Sequence, residues 1–199
     1  MPAFRYPERK HRRKHGPQGY QSPAEFRDWL RDEFAFRCVY CLEREQWGNR
    51  LGHFHIEHFV PKAVQPEQRL SYDNLLYSCQ GCNLLKGPKT VPDPLKVFTS
   101  GTVVVRRNGS LHGRTKEAKL LIDVLQLNDE SYQRRRRLMI GILSAVAKTN
   151  PALHRELLGF PDDLPNLATL KPPGGNSRPA GIKQSYYALR QSGQLPDTY

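Results

Sequence analysis

Between Cys38 and Lys86 stand all four cysteines of this chain and three of its seven histidines. The cysteines form two Cys-x-x-Cys pairs, Cys38/Cys41 and Cys79/Cys82, with none left over. Four thiolates in such knuckles are the tetrahedral ligand set of a structural zinc ion, and a closed set of four leaves no open position for a substrate. The competing assignment is redox-active or unpaired cysteines. The stretch from Cys41 to Cys79 is longer than in ordinary zinc ribbons, so it must form a small structure of its own between the knuckles.

That insert holds residues suited to a second kind of metal chemistry. The run His53-Phe54-His55-Ile56-Glu57-His58-Phe59-Val60 reads as a strand whose extension Pro61 limits. Alternate residues of a strand share a face, so His55 and Glu57 point one way and Ile56 and His58 the other, unless the strand bends near Pro61. A carboxylate beside a histidine is useful for phosphodiester cleavage. Glu57 can hold a divalent cation through oxygen, while neutral His58 takes a proton from the attacking water. The cation must stabilise the negative charge that develops on the phosphate and leaving oxygen. Asn83, at the expected start of a short helix beginning at Cys82 or Asn83, offers an amide oxygen as second ligand.

The elements around this centre are legible in outline. Ser22-Pro23-Ala24-Glu25 carries a cap, a first-turn proline and an acid in the capping-box position, predicting a helix to about Phe34 with Phe26, Trp29, Leu30 and Phe34 in the core. Ser71 to Tyr77 reads as a turn followed by a short extended piece. Farther on, Thr102 to Arg107, Asn108-Gly109 and Ser110-Leu111 predict a hairpin with a type I′ turn. Helices are expected over about Thr115 to Gln126 and about Asp129 to Lys148. The second contains the run Arg134 to Arg137, which wraps a full turn and cannot all face one surface. Its default is a charged surface with buried stems, although one or two of these arginines have the reach to touch nucleic acid. The stretch Lys171 to Pro179 is a linker by composition, and the residues from Ile182 to Tyr199 carry enough apolar area to dock on the core or on another protein.

Charge narrows the class of partner. The 199 residues carry a formal net charge of +12, which recruits polyanions regardless of their sequence. Residues 1–15 hold six Lys and Arg, Arg12 and Arg13 among them, against the single acid Glu8, predicting a mobile arm able to lie along phosphates. A solvated tail is the competing assignment. No apolar stretch approaches the roughly 20 residues needed to cross a bilayer, and the first residues lack the apolar core of a signal peptide. A cytoplasmic protein with no membrane partner, whose cysteines bind metal in a reducing environment, is the expectation.

Taken together, these residues resemble the HNH endonuclease family. Glu57-His58 occupies the place of the family's metal-binding residue and general-base histidine, Asn74 matches its central asparagine, and Asn83 takes its last position. The segments Tyr72-Asp73-Asn74-Leu75-Leu76 and Cys79-Gln80-Gly81-Cys82-Asn83-Leu84-Leu85-Lys86-Gly87 are similar to the family's Asn-Leu and Cys-x-x-Cys-Asn-x-x-Lys-Gly segments. The resemblance implies that His58 and Asn74 are catalytic, with Asn74 orienting the loop that bears His58. It implies catalytic Mg2+ (or Mn2+) on Glu57 and Asn83, alongside structural Zn2+ on Cys38, Cys41, Cys79 and Cys82. Glu57 departs from the commoner aspartate. Lys86 and Lys62 are candidate phosphate contacts together with Arg12 and Arg13, and His55 and His53 are weaker candidates for supporting roles.

The fold class expected is α+β, a small ββα-metal core with a structural zinc, flanked by an N-terminal helix, a β-hairpin and C-terminal helices. The division is a basic arm over 1–21, a nuclease core with its preceding helix over 22–98, a hairpin and helical extension over 99–150, and a Pro/Gly-rich tail over 151–199. The function expected is metal-dependent hydrolysis of DNA, nicking once per active site and leaving 5′-phosphate and 3′-hydroxyl ends. RNA remains open as substrate, and the rival is a non-catalytic zinc-stapled nucleic-acid-binding module. The wider arrangement is similar to bacterial HNH proteins of anti-phage defence systems such as Septu, which implies an ATPase or another defence protein as partner.

Overall fold

The computed structural model describes residues 4–47 and 53–199. Ser22 caps the first helical turn as its sequence predicts: its hydroxyl accepts from the Ala24 amide, and Glu25 accepts from the Ser22 amide at 2.8 Å. That turn is a tight 3₁₀ turn over Pro23–Phe26, continued by helix α1, Arg27–Glu33. Phe26, Trp29 and Leu30 are completely buried. Ala35 and Phe36 then adopt left-handed backbone angles, φ 52° and 56°, which end the helix and turn the chain into the first cysteine knuckle.

Strand β1, Phe54–His58, pairs antiparallel with β2, Leu75–Cys79, in a register that sets His58 opposite Leu75 and Phe54 opposite Cys79. Helix α2, Gln80–Lys86, follows β2 without a loop and completes a ββα unit. It starts earlier than expected, at Gln80, so Cys82 and Asn83 lie inside the helix; the Gln80 amide donates to the His53 carbonyl at 2.7 Å and ties the helix start to β1. A one-turn helix α3, Pro94–Val97, leads to strands β3, Val103–Val105, and β4, Leu111–Gly113. Helices α4, Lys116–Val124, α5, Glu130–Thr149, α6, Pro151–Leu158, and α7, Tyr186–Gln191, complete the chain. The architecture is α+β around a small ββα core. Among the described residues no helix is long and apolar enough to cross a membrane.

The hairpin forms where Asn108-Gly109 predicts one, with a different turn. A type I′ turn needs positive φ at both central residues. Only Gly109 has it, at +85°, while the Gly109 amide donates to the Arg106 carbonyl at 2.9 Å. The turn therefore runs over Arg106–Gly109 with glycine in its left-handed position. A Cβ on Gly109 would collide with the Gln133 carbonyl of α5, so packing on that helix fixes the geometry that the dipeptide alone left open.

The mobile arm and the linker reading of Lys171 to Pro179 are corrected more deeply, whereas the residues from Ile182 onward dock on the core, one of their two expected placements. Residues 1–3 lie outside the described residues, but from Phe4 onward the arm is a docked strap rather than a mobile segment. Phe4 and Tyr6 are in the core, and Gln18 and Ser177 exchange backbone hydrogen bonds with Gly175 and Gly16 of the opposite segment at 2.9 and 2.8 Å. The close approach requires small residues: Gly19, φ +83°, faces Gly174, and a Cβ on Gly19 would overlap the Gly174 backbone. The tail is equally tied down. Leu158, Leu164 and Leu167 are buried, and Arg178 pairs with Asp73 at 2.8 Å. Both departures have one physical reason: the partners lie in other elements, 22 residues away for His11 and Glu33 and 105 for Arg178 and Asp73, so neither segment shows a local pattern.

The C-terminal end of α1 clamps the arm. Glu33 accepts from His11 Nε2 at 2.7 Å, from the Lys14 and His15 amides at 2.9 and 3.0 Å, and from the Tyr72 hydroxyl at 3.1 Å. Burial pushes its carboxyl up, but the bond and charge of His11, the charge of Arg13 and the Lys14 amide overcome this and hold it down at about 2. A carboxylate whose folded-state pKa lies below its unfolded value stabilises fully above the unfolded value. That stabilisation, roughly 3 kcal/mol, is lost as the pH falls from about 4.5 to about 2. Glu33→Gln will lower the denaturant midpoint at neutral pH and flatten the acid limb of the stability curve. An unchanged acid limb would show that the clamp carries no linkage.

Candidate active site

The candidate residues sit where β1 ends and a loop leads back into β2. The chain leaves β1 at His58 into a loop that returns through a 3₁₀ turn, Pro66–Leu70, and a second turn, Tyr72–Asn74, into β2. Asn74 is 4% exposed and braces that loop across its mouth. Its Oδ1 accepts from the Val60 amide at 2.8 Å, while Nδ2 donates to the Val60 and Gln68 carbonyls at 3.1 and 3.3 Å. The neighbouring Arg69 carbonyl lies 3.1 Å from His58 Nε2. A carbonyl can only accept, so Nε2 carries the proton and Nδ1 is left as the imidazole's acceptor. Asn74 thus sets the loop, the loop sets the Arg69 carbonyl, and that carbonyl sets the ring and tautomer of His58.

Glu57, one residue earlier, is 4% exposed. Its Oε1 pairs with Lys86 Nζ at 2.6 Å and its Oε2 accepts from the Tyr40 hydroxyl at 2.8 Å. The Tyr40 carbonyl in turn accepts from the Tyr6 hydroxyl at 2.6 Å, joining the docked strap to the site. Burial pushes the Glu57 carboxyl up, and Lys86 and Tyr40 offset only part of that rise. Lys86 is completely buried and also donates to the His58 carbonyl at 2.9 Å. The expectation that Lys86 touches a phosphate is therefore corrected: its ammonium is spent inside, joining the end of α2 to the end of β1. Arg13 is corrected likewise. Its guanidinium lies between the Phe34 and Tyr72 rings, 5.0 and 5.1 Å from their centres, and donates to the Leu75 carbonyl at the head of β2.

Glu57, His58, Lys62 and Asn83 line one pocket of about 450 Å3. Asn83, half-buried on α2, makes no side-chain hydrogen bond among the described residues, and Lys62 is exposed at the same pocket. Arg12 is exposed on the strap, away from this lining. The donors suit a hard cation. A carboxylate has about four lone-pair positions, so the bonds to Lys86 and Tyr40 leave Glu57 acceptor capacity, and Asn83 adds an uncommitted amide oxygen. His55 and His53 line no part of this pocket.

The four cysteines come together as expected. Their sulfurs lie within 4.8 Å of one another, with Cys41 and Cys79 3.6 Å apart. Tetrahedral ligands at about 2.3 Å from an ion would be about 3.8 Å apart, so the cluster can hold a metal. It joins the first knuckle to the junction of β2 and α2, where the Val39 amide also donates to the Tyr77 carbonyl at 2.9 Å. A contact that sequence reasoning missed is Tyr132 of α5, whose hydroxyl sits 3.8 Å from Cys82 Sγ. Gly81 leaves the room for it, since a Cβ there would meet that hydroxyl. Tyr40 was missed too, and its only local signal is an aromatic residue inside a cysteine knuckle.

Comparison with known proteins follows the same outline. Residues 38–89 match the family model described as HNH endonuclease. The Septu protein PtuB of Bacillus thuringiensis is 32% identical over 109 residues, covering 53% of this chain and 42% of that protein, so the match spans less than half of the relative's length. The paired strands, the helix bearing Asn83 and both cysteine knuckles all fall inside the matched residues, so the segment 38–89 is similar to the HNH endonuclease family over its whole ββα unit.

Proposed function

We propose that the chain is a divalent-metal-dependent endonuclease that hydrolyses DNA phosphodiester bonds, one strand per active site, leaving 5′-phosphate and 3′-hydroxyl ends. The observation that supports this most directly is His58, whose Nε2 is held by the Arg69 carbonyl while the residue lines a pocket shared with Glu57 and Asn83. In this reading His58 Nδ1 takes the proton of the attacking water. Asn74 holds the loop that aims it, and Lys62 meets a phosphate at the pocket. Glu57 and Asn83 hold Mg2+ or Mn2+, which supplies charge neutralisation at the phosphate and leaving oxygen. Lys86 and Tyr40 keep the Glu57 carboxylate in place. The cysteine cluster holds Zn2+ and builds rather than reacts.

The likeness to a Septu protein supports a place in bacterial anti-phage defence, and with it we propose a cytoplasmic location and an ATPase or another defence protein as partner. A second reading rests on one specific observation. Glu57 is buried and bonded at both oxygens, as it would be in a zinc-stapled nucleic-acid-binding module that does not cut. Incubating supercoiled plasmid with the purified chain separates the two. Cleavage reads as nicked circles that appear with magnesium or manganese and disappear with chelator. A folded, metal-replete protein that leaves the plasmid intact with every divalent ion, with and without its partner, removes the enzyme reading. Cutting of RNA but not DNA would move the substrate and keep the mechanism.

A further inference from the structure

The run Arg134 to Arg137 divides by burial, and its division points outward from the segment that carries the chemistry. Arg136 is 3% exposed, and its guanidinium donates to the Gly109 carbonyl at 2.6 Å and to the Leu127 carbonyl. Arg135 pairs with Glu43 beside the cysteine cluster. Arg134 and Arg137 are exposed and form no ion pair among the described residues. The hairpin turn packs directly on this part of α5, since Gly109 abuts the Gln133 carbonyl and the Arg137 amide. That contact brings Arg106 and Arg107, both exposed and without an ion pair among the described residues, beside Arg134 and Arg137. A buried arginine therefore holds together two elements that present four uncompensated guanidinium groups to solvent. Side chains that serve only for solubility need no such anchor, and like charges at this density repel unless a polyanion covers them.

We propose that the β3–β4 turn and the first half of α5 form a second nucleic-acid contact, in which Arg106, Arg107, Arg134 and Arg137 grip the phosphate backbone of the duplex nicked at His58. The proposal rests on the nuclease reading above and adds where the substrate runs. Tyr132 of α5 touches Cys82 of α2, one residue from Asn83. Five residues of α5 separate Tyr132 from Arg137, about 7.5 Å of helix axis, and crossing α2 adds about 10 Å. The arginines thus stand within roughly 20 Å of the pocket, about six base-pair steps of duplex. Contacts of this kind position a duplex and carry no base sequence directly.

The test compares two variants of equal charge change. One carries Arg106→Gln, Arg107→Gln, Arg134→Gln and Arg137→Gln, with Arg136 untouched. The other carries Lys148→Gln, Arg155→Gln, Lys171→Gln and Lys183→Gln, exposed cations elsewhere on the surface. Duplex affinity is read by fluorescence anisotropy over a salt series in magnesium-free buffer, beside plasmid cleavage by the wild-type chain. The first variant is expected to bind a long duplex on the order of ten- to a hundredfold more weakly, with a log-log salt slope shallower by about 3.6, since each of the four lost phosphate contacts removes about 0.9. It should lose little on a duplex too short to leave the pocket, and the second variant should lose little on either. If the quadruple variant misfolds, the double variant Arg106→Gln/Arg107→Gln on the exposed turn carries the same comparison at about half the slope change. Equal losses in both charge variants, or an unchanged slope in the first, overturn the second contact while wild-type cleavage leaves the nuclease reading standing. A wild-type chain that neither binds nor cuts nucleic acid removes both.

Discussion

His58→Ala will lower the rate of strand cleavage by a factor on the order of 10²–10⁴, the contribution of a positioned general base, while leaving the fold and its metal content intact. The imidazole makes one side-chain hydrogen bond, to the Arg69 carbonyl, and the residue is only half-buried at the pocket, so its truncation orphans little. Asn74→Ala offers the contrast that separates a catalytic group from one that positions it. That change strips partners from the Val60 amide and from the Val60 and Gln68 carbonyls, at a buried site. It should cost about 1–3 kcal/mol of stability as well as rate, because unsatisfied buried groups bear their full desolvation cost. Cleavage and urea unfolding are measured side by side for both variants. The assignment survives if His58→Ala loses rate at constant stability and Asn74→Ala loses both. It fails if His58→Ala cuts as fast as wild type.

The contrast also shows which parts of the site a sequence can expose. Cys38/Cys41, Cys79/Cys82, Glu57-His58 and the capped helix start at Ser22 are local patterns, each with a short-range physical cause, and the structure realises them near the expected positions. Lys86 is different. As one turn of helix past Asn83 it reads as a solvent-facing cation, and only the pairing of β1 against β2, with α2 laid across them, turns it onto Glu57. Arg13 reads in sequence as part of a charge run, yet two aromatic rings from separate elements hold it. The strap and the segment that leads into the last helix are illegible for the same reason. Phe4, Tyr6 and Leu167 are isolated apolar residues in polar or proline-rich surroundings, and what buries them is brought together by the chain's long-range return, as the Arg178–Asp73 pair shows. Local patterning specifies the ββα unit, whereas the shell around it is specified by contacts with no sequence period.

Removing the ion from the cysteine cluster will unfold the chain rather than merely loosen its knuckles. Structural zinc contributes apparent binding energies of about 10–16 kcal/mol in small zinc modules, comparable to or larger than the net stability of about 5–15 kcal/mol of a folded domain. The cluster here bears on more than its own loops. Tyr40, within the first knuckle, receives Tyr6 of the strap and donates to Glu57, and Tyr132 of α5 rests on Cys82. Opening the knuckles therefore releases the strap, the Glu57 carboxylate and the long helix together. Cys82→Ser and a high-affinity zinc chelator should each abolish the cooperative thermal transition followed by circular dichroism, with a single zinc ion released per chain and detected by a chromogenic indicator. A weak chelator such as citrate, sufficient to withdraw magnesium, should stop cleavage and leave that transition in place. The two metal roles are distinct only if these treatments separate; a Cys82→Ser chain that melts at the wild-type temperature would show that the sulfurs hold nothing the fold depends on.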